Sequence, residues 1–144
     1  MQKETLKLVN AVAQSLTGKR VEVREREPGT AGLLGEISKR KDGVLIIDLS
    51  PEIPTYKKRL DILLHELAHA KHHNYIESSH AELRPASVKK EPLDWGDRLR
   101  EDDAEKQAAA WKAYAEKHAH PELVKMAPFT AKLISLLGYK ENTK

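Results

Sequence analysis

Leu63-Leu64-His65-Glu66-Leu67-Ala68-His69-Ala70 is the stretch on which the reading of this chain turns. It follows a polar Tyr56-Lys57-Lys58-Arg59 and, with Leu60 and Ile62, predicts one long helix over 55–74. Leu and Ala occupy nearly every side of that helix, and a helix apolar all round belongs inside a core. Two His and a Glu are out of place there. Burying a polar group without partners costs about 2–7 kcal/mol, so these three side chains need a reason to be where they are.

Their spacing supplies one. Residues i and i+4 lie one above the other on a helix, so His65 and His69 can offer two imidazole nitrogens to a single ion. Glu66 is turned about a third of a turn from each, beside such an ion without being its ligand. This is the HExxH arrangement, in which zinc lowers the pKa of its water towards about 7 and the carboxylate accepts the proton during attack on a carbonyl. The expected cofactor is one Zn²⁺ per chain, held by His65 and His69, with Glu66 as the catalytic base.

A hydrolytic zinc site needs a third protein ligand and keeps its fourth position for water. His72 follows on the same helix, but one straight helix does not wrap three ligands around one ion. A metzincin would place its third His at position 75, which is Tyr75. The better source is the helix expected from Asp94 or Asp97 to about His118, with a buried stripe of Ala104, Ala108, Trp111 and Ala115. On a helical wheel Glu101 falls about 45° from the centre of that stripe and Asp103 more than about 100° away. Glu101 is therefore the expected third ligand, with Asp103 and His80 as alternatives. Glu105, one turn after Glu101, is placed to orient a ligand His. His73 and His118 read as solvated side chains.

Upstream, Leu6, Val9, Ala13 and Leu16 recur at helical spacing before Gly18, so residues 3–17 form an amphipathic helix whose role is packing. Val21 and Val23 alternate with charged residues in a short strand. Strands around Gly32–Ser38 and Val44–Leu49 follow, joined by Lys39-Arg40-Lys41-Asp42-Gly43, and a polar turn ending in Asp-Gly signals a hairpin. The basic cluster at its tip reads as solvated. Gly29, Gly32 and Gly35 lack the Gly-Lys-Ser/Thr ending of a phosphate-binding loop and read as flexibility beside an edge strand. Pro51 and Pro54 end the strands. Residues 76–96 read as a long loop able to act as a lid, and a last helix spans about Pro128–Leu137. The fold class is α+β: an N-terminal helix, a short three-stranded antiparallel or mixed sheet, the HExxH helix and C-terminal helices.

Composition narrows the chemistry. At 144 residues the chain predicts a single domain over 1–144. With no Cys, any metal must be held by imidazole and carboxylate, and a thiol nucleophile or a thiolate zinc finger is excluded. The 25 Lys and Arg exceed the 22 Asp and Glu by a formal +3, which permits nucleic acid without arguing for it. With no export signal and no apolar run near the roughly 20 residues of a membrane span, the expected location is the cytoplasm.

The glycine-containing strand, the hairpin into an Ile-rich strand and the polar turn into Leu-Leu-His-Glu-Leu-Ala-His-Ala resemble the ImmA/IrrE zinc peptidase family, gluzincin-like enzymes found in many phages and mobile elements. Glu101-x-x-Ala104-Glu105-x-x-Ala108 is similar to the family's downstream acidic segment, and the resemblance covers about 31–111. Asp103, Glu105 and Gln107 depart from that segment's usual residues, and Trp111-Lys112-Ala113-Tyr114 stands where Leu-Leu-Met-Pro often follows. The resemblance implies a small zincin-like fold and, for some members, cleavage of a helix-turn-helix repressor.

The sequence thus points to a zinc endopeptidase acting on a protein or peptide, expected to pair with a sheet edge near the zinc helix as an added strand. Tyr75, His80 and Tyr114 are candidates to stabilise the oxyanion. Two other classes stand beside this one. One is a DNA-associated metalloprotease similar to SprT-type domains, taking its third ligand from a His such as His80. The other is a non-catalytic binding module that keeps zinc for stability. The sequence does not fix the oligomeric state.

Overall fold

Three short strands carry the alternation that the sequence announces. The computed structural model describes residues 1–29, 32–72 and 95–140, with backbone alone for 72 and 95–101. In it β1 (Val21–Glu25), β2 (Gly35–Lys39) and β3 (Leu45–Leu49) form one sheet in the order β1-β3-β2. β1 runs parallel to β3 and β2 antiparallel to it, so the sheet is mixed. Val23, Ile47 and Ile37 share a row on the face turned to the core, while Arg24, Asp48 and Glu36 share one on the other face. Arg24 holds Asp48 through two hydrogen bonds of 2.9 and 3.3 Å.

The hairpin forms where the Asp-Gly turn requires it. Gly43 adopts φ +90°, a left-handed conformation that favours glycine, and its N–H donates to the Arg40 carbonyl at 2.9 Å. Strand β2 begins at Gly35, three residues later than the expected Gly32. Before it, Gly32 sits at φ +95°, a turn conformation rather than an extended one.

Two helices cover the core face. α1 (Lys3–Thr17) buries Val9, Val12, Ala13 and Leu16, and Gly18 ends it in a left-handed cap at φ 67°. α2 (Tyr56–His72) starts at Thr55, whose hydroxyl accepts the Lys58 N–H at 3.1 Å. Its Leu60, Ile62, Leu63, Leu64, Leu67, Ala68 and Ala70 are all buried, as an all-round apolar helix demands. At its far end Lys19 donates to the carbonyls of Ala70 and Lys71, the latter at 2.9 Å. That ammonium satisfies acceptors that the helix leaves open and opposes the negative end of its dipole.

α3 (Trp95–His118) packs on α2, α5 (Pro128–Leu137) packs on α1 and α3, and α4 (Pro121–Met126) packs on α5. Ala104, Trp111 and Ala115 are fully buried and Ala108 partly so, which is the stripe expected of α3. α3 begins at Trp95, so Asp97 lies inside its first turn rather than at its cap; Asp94 lies outside the described residues. α4 was not expected, and its six residues bury none, so it has no apolar stripe to read. Nearly all of the expected lid at 76–96 also lies outside the described residues. Most buried apolar side chains of α1, the strands, α2, α3 and α5 form one core cluster. Among the described residues no helix is long and apolar enough to cross a membrane.

Candidate metal centre

Helix α2 passes through the core and carries the His pair with it. His69 and Glu66 are each 1% exposed, and His65 is half-buried. One turn of helix stacks the two rings edge to face, with centroids 4.8 Å apart and planes at 82°. Their Nε2 atoms face each other at 3.3 Å. One neutral ring can donate to the other at that distance. It also suits a metal: two zinc–nitrogen bonds of about 2.0–2.1 Å at a tetrahedral angle hold their nitrogens roughly 3.3–3.4 Å apart. The separation of the two nitrogens is thus compatible with both binding one ion.

The expected partners on α3 fall into three groups. Glu101 lies on the α3 backbone one turn before Ala104 and Glu105; its side chain lies outside the described residues. Glu105 is exposed, yet it lines a recess of about 190 Å³ together with His65, Asp61, Leu64, Ala108 and Lys112. Asp103 is exposed and lines a different recess with Lys106, Gln107 and Ala110, so the structure does not bring it to the His pair. Tyr75 and His80 lie outside the described residues. Tyr114 is engaged elsewhere: its hydroxyl donates to the Gly138 carbonyl at 3.0 Å, and its ring packs on Tyr139 and His118. Among the described residues no third His, Asp or Glu completes a three-ligand group.

Polar contacts hold α3 against α2. Lys112 pairs with Asp61 at 3.0 Å on the solvent side. Lys71 donates to Gln107 at 3.2 Å and sits 5.6 Å from the centre of the Trp111 ring. Burial pushes the Lys71 ammonium below its ordinary pKa.

Gly35 is the residue whose importance sequence reasoning missed. A Cβ there would stand 2.5 Å from Ile62 Cγ2 and 3.4 Å from Glu66 Oε2. The first residue of β2 thus lies directly on the helix turn that carries Glu66. The available signal was a glycine within a strand, which often marks close approach by another element rather than flexibility.

That contact places Glu66 at one end of a sheet edge. Ser50 N–H donates to the Leu34 carbonyl and Arg40 N–H to the Val44 carbonyl, both at 2.9 Å, at the two ends of the β2–β3 ladder. Antiparallel alternation then turns the backbone groups of Glu36 and Ser38 towards β3 and those of Gly35, Ile37 and Lys39 outwards. Among the described residues β3 is the only strand paired with β2.

No family model, curated protein or solved structure matches the chain.

Proposed function

We propose that this chain is a zinc-dependent endopeptidase of the HExxH type, similar to the ImmA/IrrE peptidases, that cuts a protein substrate such as a regulatory or repressor protein. The observation that carries this reading is the 3.3 Å approach of His65 and His69 Nε2 beside a buried Glu66, at the start of an outward-facing strand edge. His65 and His69 hold the metal, and Glu101 is proposed as the third ligand. When bound, zinc supplies a Lewis acid that polarises a carbonyl and makes water acidic enough for a carboxylate to deprotonate.

The chain's own residues then divide the work. The outward backbone groups of Gly35, Ile37 and Lys39 hold an extended peptide as an added strand, which fixes its register against Glu66. Glu66 takes the proton of the attacking water and returns it to the leaving amine. Its burial among apolar neighbours keeps bulk water from competing for that proton. Glu105, in the recess beside His65, is proposed to orient that ring.

Substitution of Glu66 by Gln tests the reading. Zinc-loaded wild type should cleave unfolded protein substrates, and Glu66→Gln should slow cleavage by roughly 10²–10⁴-fold with zinc content unchanged. Cleavage by Glu66→Gln at the wild-type rate contradicts the proposal, as does a zinc-loaded wild type that cuts none of a broad panel of unfolded proteins.

A further inference from the structure

The excess of cations over carboxylates is small for the whole chain but uneven over its surface. A recess of about 870 Å³ runs between α1 and β1 and ends near the hairpin tip. Lys3, Lys7, Arg20, Arg24 and Arg40 line it, against one carboxylate, Glu22. In a chain with 25 cations and 22 anions, five against one is a local departure and not a sample of the average. Arg24 is paired with Asp48, and Arg40 with Asp42 and, at 3.9 Å, Glu22. Lys3, Lys7 and Arg20 make no ion pair with any carboxylate among the described residues.

Two of these cations sit where the helix itself disfavours them. Lys3 opens α1 and Lys7 follows one turn later. The N-terminal end of a helix is the positive end of its dipole, and like charges at i and i+4 repel. Placing both lysines on the same wall of the recess works against local stability. An anionic occupant adds a favourable interaction with each lysine that offsets these terms.

The recess also restricts what that anion is. It is an open groove, walled along α1 by Lys3, Lys7 and Asn10, and its cations are spread along it rather than converging on one point. That suits a chain of phosphates better than a single one. None of the described residues lining it is aromatic, so it has no platform for stacking bases. A membrane surface fits less well, because the large exposed apolar side chains, Met126, Ile134 and Leu137, stand on α4 and α5 instead. We infer that the groove between α1 and β1 binds the phosphodiester backbone of nucleic acid without reading its sequence. This inference is independent of the reading of the His–Glu site, since it concerns the opposite edge of the sheet.

The test uses the full chain and fluorescence anisotropy with labelled oligonucleotides of about 20 nucleotides, one single-stranded and one duplex, between about 50 and 200 mM salt. Wild type should bind, with affinity falling steeply as salt rises. Each lost phosphate contact lowers the slope of log K against log salt by about 0.7–0.9. Lys3→Glu/Lys7→Glu/Arg20→Glu should therefore flatten the slope by about 2–3 and weaken binding at low salt by on the order of tenfold or more. The milder Lys3→Ala/Lys7→Ala/Arg20→Ala should flatten it in the same direction. All three side chains are exposed, and an unchanged circular dichroism spectrum confirms that the variants fold. Lys57→Glu/Lys117→Glu/Lys140→Glu changes net charge equally at exposed sites elsewhere and should leave most of the affinity intact. Comparing the two probes assigns the source: the backbone reading is supported by either form bound, and equal binding means that strand number is not read. Three results overturn the inference: no binding of either probe at the lowest salt, equal loss in the control variant, or binding to anionic phospholipid vesicles in place of both oligonucleotides.

Discussion

The two edges of the sheet are treated in opposite ways. At β1, the ladder to β3 is flanked by hydrogen bonds from Leu45 N–H to the Arg20 carbonyl and from Arg26 N–H to the Leu49 carbonyl. This turns the backbone of Val23 outwards. Both of its groups are met by one side chain: Asn10 Oδ1 accepts the Val23 N–H at 2.8 Å, and Asn10 Nδ2 donates to the Val23 carbonyl at 3.1 Å. The carboxamide substitutes for a neighbouring strand. At β2 the outward groups of Gly35, Ile37 and Lys39 face no other strand among the described residues, and Gly35 touches the turn carrying Glu66. An exposed edge is a template for pairing with any extended chain. With the Val23 groups met at β1 and the β2 edge left beside the His–Glu pair, that property is concentrated where the proposed substrate would pair.

The largest effect is expected at Gly35. Gly35→Val places side-chain atoms where Ile62 and Glu66 already stand, so α2 and β2 must separate. Overpacking of this kind costs about 1–3 kcal/mol, and this contact should sit at the upper end. Thermal unfolding should show it. If the midpoint does not move, the close approach of β2 to α2 is not a feature of the folded protein.

Opening the β1 edge is the converse experiment. Asn10→Ala removes both bonds to Val23 and a third from Nδ2 to the Leu6 carbonyl at 2.9 Å, for a loss of about 1–2 kcal/mol. The freed edge should also raise self-association, seen by light scattering at high concentration. A variant that is as stable and as monodisperse as wild type would show that the carboxamide does not guard this edge.

The smallest effect sits at the hairpin tip. The Arg40 guanidinium, hydrogen-bonded to Asp42, holds that carboxyl at about 2, with a second contribution from the Val44 N–H. A carboxyl depressed in the folded state stabilises it above its unfolded pKa of about 3.9, and the contribution is lost as pH falls through about 2. Because the pair is fully exposed, little stability is expected to depend on it. Arg40→Ala should raise the Asp42 pKa towards its ordinary value in an NMR titration. An unmoved Asp42 would contradict the pairing.

What could be read from the sequence was local. The bounds of α1, the Asp-Gly hairpin, the core position of α2 and the i, i+4 His pair each follow from a period or a turn within a few residues. What could not be read was pairing between distant segments. The parallel partnership of β1 with β3 joins residues 24 apart, from Val21 and Leu45 to Glu25 and Leu49. Gly35 looked like a flexible residue because the helix it touches comes 27 to 31 residues later, at Ile62 and Glu66. The helical period of α1 speaks to packing alone, and nothing in it shows that Asn10 reaches a strand or that Lys3 and Lys7 wall a groove. On α3 the wheel ranked Glu101 ahead of Asp103 from the angle within one helix, and Asp103 lines a recess away from the His pair. Completing the ligand set depends on how two helices meet, which no single-helix argument contains.

The central claim is that His65 and His69 form a metal site next to a base that is not a ligand. Zinc content per folded chain, measured by mass spectrometry of metal on wild type, His69→Ala and Glu66→Gln, tests it most directly. One zinc per chain is expected in wild type and in Glu66→Gln, and its loss in His69→Ala. Zinc retained by a folded His69→Ala, or none taken up by wild type supplied with it, would contradict the claim.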